Sequence, residues 1–253
     1  MLRKGNKIKL NICRVLPTWT IVLLVFSGTG YCENGDKRTT TKTLQTVNYL
    51  LDFSDYKSGP IDSWLKEKGF KFERDAQDRK KLDLDVNENG LVLGAKKAMF
   101  GIMVNEGVDL DKFSSIRLEW GINKYPEGAS WEKNVNNETL TVIVFFGYDK
   151  VSSGHLLIPN SPYFIGFFLG REEVVGKSYV GRYFKKSGRY VCLGNPKTGE
   201  LVTSEYDLVS AFKQEFKRNK VPPISGVALA IDTTKAKDGG KAGAYLRSIE
   251  FLD

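Results

Sequence analysis

The chain has 253 residues, with 38 Lys and Arg against 30 Asp and Glu and a formal charge of +8. Five of those cations, Arg3, Lys4, Lys7, Lys9 and Arg14, precede Cys32 in a stretch without acids, which leaves 33 basic residues against 30 acidic and a charge of +3 for the remainder. A balance so near neutrality, with no Lys/Arg runs interleaved with aromatics, argues against a nucleic-acid partner, which would need a basic stripe.

Behind the basic start comes a short apolar run, Ile21 to Phe26, and then the small residues Ser27, Gly28, Thr29 and Gly30. That layout predicts a secretory signal over residues 1–32 and a periplasmic or secreted protein. The run is shorter than the ~20 apolar residues that cross a bilayer, and no later segment is longer, so no transmembrane segment is expected in the mature chain. Cys32 has two readings, a lipid-modified cysteine or a residue beside an ordinary cleavage site; the bulky Tyr31 before it favours the second. Residues 33–42 are polar and Thr-rich and read as a flexible tether. Residues 43–253 then make one all-β domain, a size that sandwiches routinely reach. The cysteines are Cys13, Cys32 and Cys192, which give no disulfide framework unless Cys32 survives and pairs with Cys192.

Short β-rich runs separated by turn signals follow. Leu44 to Phe53 is the first. Phe70 and Phe72 alternate with Lys71 and Glu73, and Asn87 to Gly90 makes a turn before Leu91 to Leu93. Ser115 to Ile122 alternates with Ile116, Leu118 and Trp120 on one face. Thr139 to Tyr148 is continuously apolar at its centre, which fits a strand buried on both faces or a core strand of a sandwich. Tyr163 to Leu169 is similar, and Gly166 there marks a bulge or a close backbone approach. Arg189 to Leu193, Gly226 to Ile231 and Ala244 to Leu252 complete the strands. Trp64 and Trp120 read as core residues.

One segment departs from this pattern. Leu208, Phe212 and Phe216 recur every four residues, a helical stripe. Ser204 with Asp207 resembles a capping box, and Pro222 and Pro223 end the segment, which predicts a helix over Glu205 to Arg218. A second short helix is expected over Ile61 to Lys68. The fold class is therefore all-β, a two-sheet antiparallel sandwich with one or two peripheral helices.

The residues exclude several chemistries. His155 is the single histidine, and no Gly-x-Ser-x-Gly elbow accompanies it, so nucleophilic triads have little to build on. Histidine-rich zinc, CxxCH haem attachment, a P-loop and a Rossmann fingerprint are all missing. Asp83 with Asp85, or Glu172 with Glu173, are the carboxylate pairs one would offer for glycoside hydrolysis, but Asp83 and Asp85 alternate with leucines as solvated positions do. No enzyme activity and no cofactor are expected.

Several stretches carry a resemblance. Ser115 to Ile122 leads to Pro126-Glu127-Gly128, Glu138 opens an apolar strand to Phe146, and Gly226 to Thr234 runs through a Gly-rich loop to Ala244-Tyr245-Leu246 and Ile249-Glu250-Phe251. These resemble a family of exported bacterial proteins of unknown function with a jelly-roll sandwich similar to carbohydrate-binding modules. The resemblance covers most of Leu51 to Leu252. It implies acidic residues before the strand at Glu138 and after the strand ending at Asp232, where this chain keeps Glu138 and Asp232 but has Asn137 and Thr234 at the companion places. If such acids hold a cation, Glu138 and Asp232 are the ligands here.

The first functional expectation is a non-catalytic module binding extracellular or periplasmic carbohydrate. Trp131 lies in the polar loop Gly128 to Asn134 without core periodicity and would stack on a sugar face, with Tyr148 and Asp149 flanking it. The alternative for Trp131 is a small cluster folded under its own loop. The second expectation is an accessory subunit that docks on a cell-envelope protein complex through an edge strand or the helix. A third is a haem-b-binding sandwich subunit using Met99 or Met103 with Lys97, against the ordinary packing role of methionine.

Overall fold

The computed structural model describes residues 45–253. The expected signal sequence, the tether, Cys13 and Cys32 lie outside the described residues. Inside them the strands are β1 (Val47–Asp52), β2 (Lys71–Arg74), β3 (Leu82–Asn87), β4 (Gly90–Ala95), β5 (Phe100–Asn105), β6 (Ser115–Lys124), β7 (Glu138–Val151), β8 (Ser161–Phe168), β9 (Ser178–Tyr179), β10 (Gly188–Cys192), β11 (Val202–Asp207), β12 (Ile224–Asp232) and β13 (Ala242–Leu252), with helices α1 (Ile61–Glu67) and α2 (Leu208–Phe216).

They form a two-sheet β-sandwich of the kind the strand pattern implied. One sheet runs β11-β6-β13-β4-β3. Its axis is β13, which pairs along β6 on one edge and divides the other between β4 (residues 242–246) and β1 (residues 248–252). The second sheet runs β2-β5-β12-β7-β8-β10-β9. Every pairing is antiparallel except β8 with β10.

Alternation decides what meets between the sheets. Ile116, Leu118, Trp120 and Ile122 of β6 face Val142, Val144 and Phe146 of β7 and Val227, Leu229 and Ile231 of β12 in one core. Each such side chain contributes about 1.5–3 kcal/mol on leaving water. The Trp120 indole N–H finds its partner in Ser204 Oγ at 3.1 Å. Met99 and Met103 are 0% and 1% exposed and belong to this core, so neither presents a sulfur to a haem. Trp64 is only half-buried, with the Lys68 ammonium 5.1 Å from its ring centre.

α2 carries the expected stripe, with Leu208 and Phe212 fully buried. Its start differs from the expected Glu205. Residues 202–207 pair with β6 as β11, so Ser204 is a strand residue, and Asp207 is the cap, accepting from Ser210 N at 2.8 Å. Pairing with a strand more than 80 residues away overrode the local capping signal. Asp207→Ala should cost about 1 kcal/mol, since a lost cap leaves a first-turn N–H unpaired. In thermal melts that is a fall of roughly 3 °C for a domain of this size, and Asp207→Asn should restore most of it.

The two outer faces differ. That of the first sheet is solvated and charged, with Arg117 bonded to Glu205 and Glu250 at 3.1 and 3.0 Å. That of the second is apolar, with Ile143, Ala228, Ala230 and Phe164 buried on it. This is why β7 reads as continuously apolar. The cover comes from topology: parallel β8 and β10 cannot be joined by a hairpin, so residues 169–187 must cross over, and they do so across this outer face.

Candidate functional site

The site builds from a bulge at the start of β7. Ala230 pairs with Thr141, but Asp232 pairs with Glu138, so three steps on β7 match two on β12. The extra residue turns Glu138 out of the core row and onto the outer face beside Asp232, the re-aiming that bulges provide. Opposed residues on adjacent strands hold their Cβ atoms about 4.5–5.5 Å apart. The two acids that the resemblance pointed to, one at each end of a 94-residue separation, are therefore neighbours.

A short 3-10 turn, Trp131–Lys133, lies over the pair. Trp131 is only 7% exposed. Its ring stacks on Phe168 at 5.6 Å and lies 4.8 Å from Tyr190 and 5.4 Å from Tyr179. Of the two readings of Trp131, the structure has the satellite cluster under the loop and not the exposed ring, because rings from β8, β9 and β10 close over it. Tyr148 and Asp149 are not nearby. They lie ten and eleven residues further along β7, roughly 30 Å away at the strand rise of about 3.3 Å per residue. Tyr148 is 64% exposed there, and its hydroxyl donates to Asp109 Oδ1 at 2.7 Å.

Two further residues complete the arrangement: Tyr190, which the sequence did not single out, and Glu173, which it offered only as a carboxylate partner of Glu172. Tyr190 lies across the outer face against Gly166, where an added Cβ would come within 3.1 Å of its ring. The odd glycine in an apolar strand was the signal for that approach. Glu173 is buried and accepts three backbone N–H groups: Trp131 at 3.1 Å, Arg171 at 2.9 Å and Glu172 at 3.1 Å. It fastens the crossover to the Trp131 turn. Gly170 is required beneath it, since a Cβ there would meet Glu173 Oε2 at 2.3 Å. The exposed Glu132 completes the fastening through Lys177 at 2.7 Å and the Tyr179 hydroxyl at 2.8 Å.

The electrostatics follow from burial. Desolvation first, and the Asp232 charge second, push the Glu138 carboxyl well above its ordinary range. The Trp131 indole opposes this by facing the carboxyl, yet neither its Nε1 nor Glu138 Oε1 has a hydrogen-bond partner of good geometry. Asp232 is also raised, by desolvation, and less so because Thr234 N and Oγ1 donate to its Oδ1 at 3.0 and 2.7 Å. Asn137 Nδ2 donates to the same oxygen at 3.1 Å while its Oδ1 accepts from Lys235 N at 2.9 Å. Burial and the two carboxylates raise the Tyr190 phenol, which stays protonated as a donor. Glu138 also borders a cavity of about 20 Å³ with Tyr125, Thr139, Phe168, Arg171 and Glu173, room for about one water.

Such a pair can accept from hydroxyls and, with Glu138 protonated, donate to them. As a cation cage it is thin: among the described residues no three His, Cys, Asp or Glu side chains converge on one point. The other carboxylate pairs do not face each other across a cleft. Asp83 and Asp85 are exposed on β3, with Asp83 bonded to Lys96 at 3.0 Å, and Glu172 is exposed while Glu173 is folded onto backbone. His155 is exposed in the β7–β8 loop, its Nδ1 accepting from Leu157 N at 3.3 Å, while Ser153 Oγ donates to the carbonyls of His155 and Ile158. Cys192 is buried in the Trp131 cluster, and burial raises its thiol.

No family model matches the chain, and no curated protein does. Among solved structures it is similar to the Emp46p carbohydrate recognition domain in its metal-free form, at 11% identity and a TM-score of 0.41, over 79% of this chain and 94% of that one. It is similar to the winged bean acidic lectin complexed with methyl-α-D-galactose, at 13% identity and a TM-score of 0.40, over 81% and 97%. The Trichoderma harzianum endoglucanase 3 of family GH12 follows at 9% identity and a TM-score of 0.30, over 73% and 98%. At these values the likeness is one of general architecture and says nothing about a ligand.

Proposed function

We propose that this protein is an exported, non-catalytic carbohydrate-binding protein whose ligand meets the Glu138–Asp232 pair at the end of the second sheet's outer face. One observation carries the reading: Glu138 is buried beside aromatic rings with an acceptor oxygen that only the poorly aligned Trp131 indole N–H faces. Burying such a carboxyl costs free energy that a ligand's hydroxyl donors would recover. Aromatic walls with a few convergent polar groups are what small-molecule sites are made of. Access requires the Trp131 turn to shift, and its outer fastening, the Glu132–Lys177 pair, is exposed and worth at most about 1 kcal/mol. Export rests on the basic, apolar and small-residue order of residues 1–32.

The test is intrinsic tryptophan fluorescence of the chain from Glu33 onward, titrated with a panel of polysaccharides. Saturable quenching is expected, lost in Glu138→Gln and Asp232→Asn and weakened in Trp131→Phe. Trp131→Ala is the wrong probe, since truncating a buried Trp costs about 3–5 kcal/mol of stability. A flat response from folded protein across the panel would overturn the carbohydrate reading.

A further inference from the structure

The β7–β8 loop does something soluble proteins avoid. Leu156 and Leu157 at its tip are 103% and 85% exposed, and Ile158 beside them is only half-buried. Two adjacent leucines left almost wholly in water, with a half-buried isoleucine beside them, cost free energy that a contact would recover. The tip is also held out rather than left loose. Ser153 is 3% exposed and its Oγ bonds the carbonyls of His155 and Ile158 at 3.0 and 2.7 Å. Asn160 Oδ1 accepts from Ser153 N at 3.3 Å, and Ile158 N donates to His155 O at 3.3 Å. The crossover supports the loop from the side: Phe184 N donates to Ser153 O at 3.0 Å, and the His155 ring meets Tyr183 edge-on at 5.5 Å.

The two loop segments are basic in sequence, with Glu106 close enough to Lys150 to feel its charge. Residues 149–160 and 180–187 contain Lys150, Arg182, Lys185 and Lys186, all exposed, against the single acid Asp149. Val180, 51% exposed, adds apolar surface on the crossover. An apolar tip with exposed cations on its flanking segments matches the two layers of an anionic bilayer, hydrocarbon beneath and negative headgroups above.

We propose that this loop docks the protein peripherally on an anionic lipid surface, with Leu156 and Leu157 entering the headgroup–acyl boundary and Lys150, Arg182, Lys185 and Lys186 contacting the headgroups. The inference is independent of the carbohydrate reading. The tip follows the C-terminal end of β7 and Glu138 opens its N-terminal end, roughly 40 Å apart along a 14-residue strand. Docking therefore leaves the carboxylate site directed away from the membrane.

The test places a reporter at the tip. In the full chain, Leu157→Trp is mixed with vesicles of phosphatidylglycerol and phosphatidylcholine carrying brominated acyl chains, and its emission is compared with that of the unsubstituted protein, so that the chain's own tryptophans, common to both, cancel. Extra quenching with a blue shift is expected on the anionic vesicles and not on pure phosphatidylcholine. Apparent affinity should fall roughly fivefold for each cation removed, read with Lys185→Gln and Lys186→Gln, and should fall further in high salt. Unchanged tip emission on anionic vesicles overturns the proposal. Equal quenching on neutral vesicles overturns the role given to the cations. A tip emission already blue in buffer, together with dimeric mass, would assign the loop to a second copy of the chain instead.

Discussion

Phe212→Ala should be among the most destabilising single truncations, at about 3–5 kcal/mol. The ring is fully buried and meets Phe146 at 4.9 Å, Tyr163 at 5.7 Å and Phe216 at 4.9 Å. Phe146 belongs to the core between the sheets, which α2 joins through Phe212 together with Leu208 and Ala211. Alanine would leave a cavity that two rigid sheets cannot collapse to fill, and removing the anchor would loosen the whole helix. A melting temperature lower by roughly 10 °C is expected. Phe212→Leu should recover more than half of the loss, and a fall of under 2 °C in the alanine variant would show that α2 is not an anchor.

Glu138→Gln should act in the opposite direction on stability. The folded protein raises this carboxyl well above its value of 4.5 in the unfolded chain. Between those two values the folded state holds a proton that the unfolded state has released, so stability falls as pH rises through the window. Glutamine keeps the shape and removes the ionisation. The variant should match the parent at pH 4 and exceed it at neutral pH and above, by the free energy the folded parent spends on holding a proton that its unfolded chain has released. It should also flatten the pH dependence of denaturant midpoints. A variant no more stable than its parent at pH 8 would mean that Glu138 is not held strained in the fold. Gain of stability with loss of ligand is the signature of a residue kept for binding.

Elements with one wet face were legible. Ile116, Leu118 and Trp120 alternate because the outer face of β6 is solvated, and the Leu208–Phe212–Phe216 stripe is visible because one side of α2 faces water. β5 was not read as a strand, since Phe100, Ile102, Met103 and Val104 show no alternation and Gly101 interrupts them. That glycine is needed because a Cβ would meet Ala76 N at 2.8 Å. The start of α2 was misplaced because β11 forms only by pairing with β6. At the site, the acids Glu138 and Asp232 were found, but their contact depends on a register between β7 and β12 and on one bulge. For Trp131 the polar loop left a sugar-stacking ring and a cluster under the loop both open, because the rings that bury it come from residues 168, 179 and 190. Local sequence reports which residues are apolar and not which distant ones will close over them.

The position of β13 bears on how the chain reaches its folded state. The central strand of the first sheet is the last one in the sequence, bonded to β6, β4 and β1 at once. Until residues 242–252 have emerged from the ribosome, β6 lacks its main partner, and β1 has none. Completion of the first sheet therefore waits for a contact between residues some 200 apart, and long-range pairing of this kind makes folding slow. A first sheet that cannot close before β13 is made stays open longer, and an open sheet is one that can still be drawn out and threaded through a narrow pore.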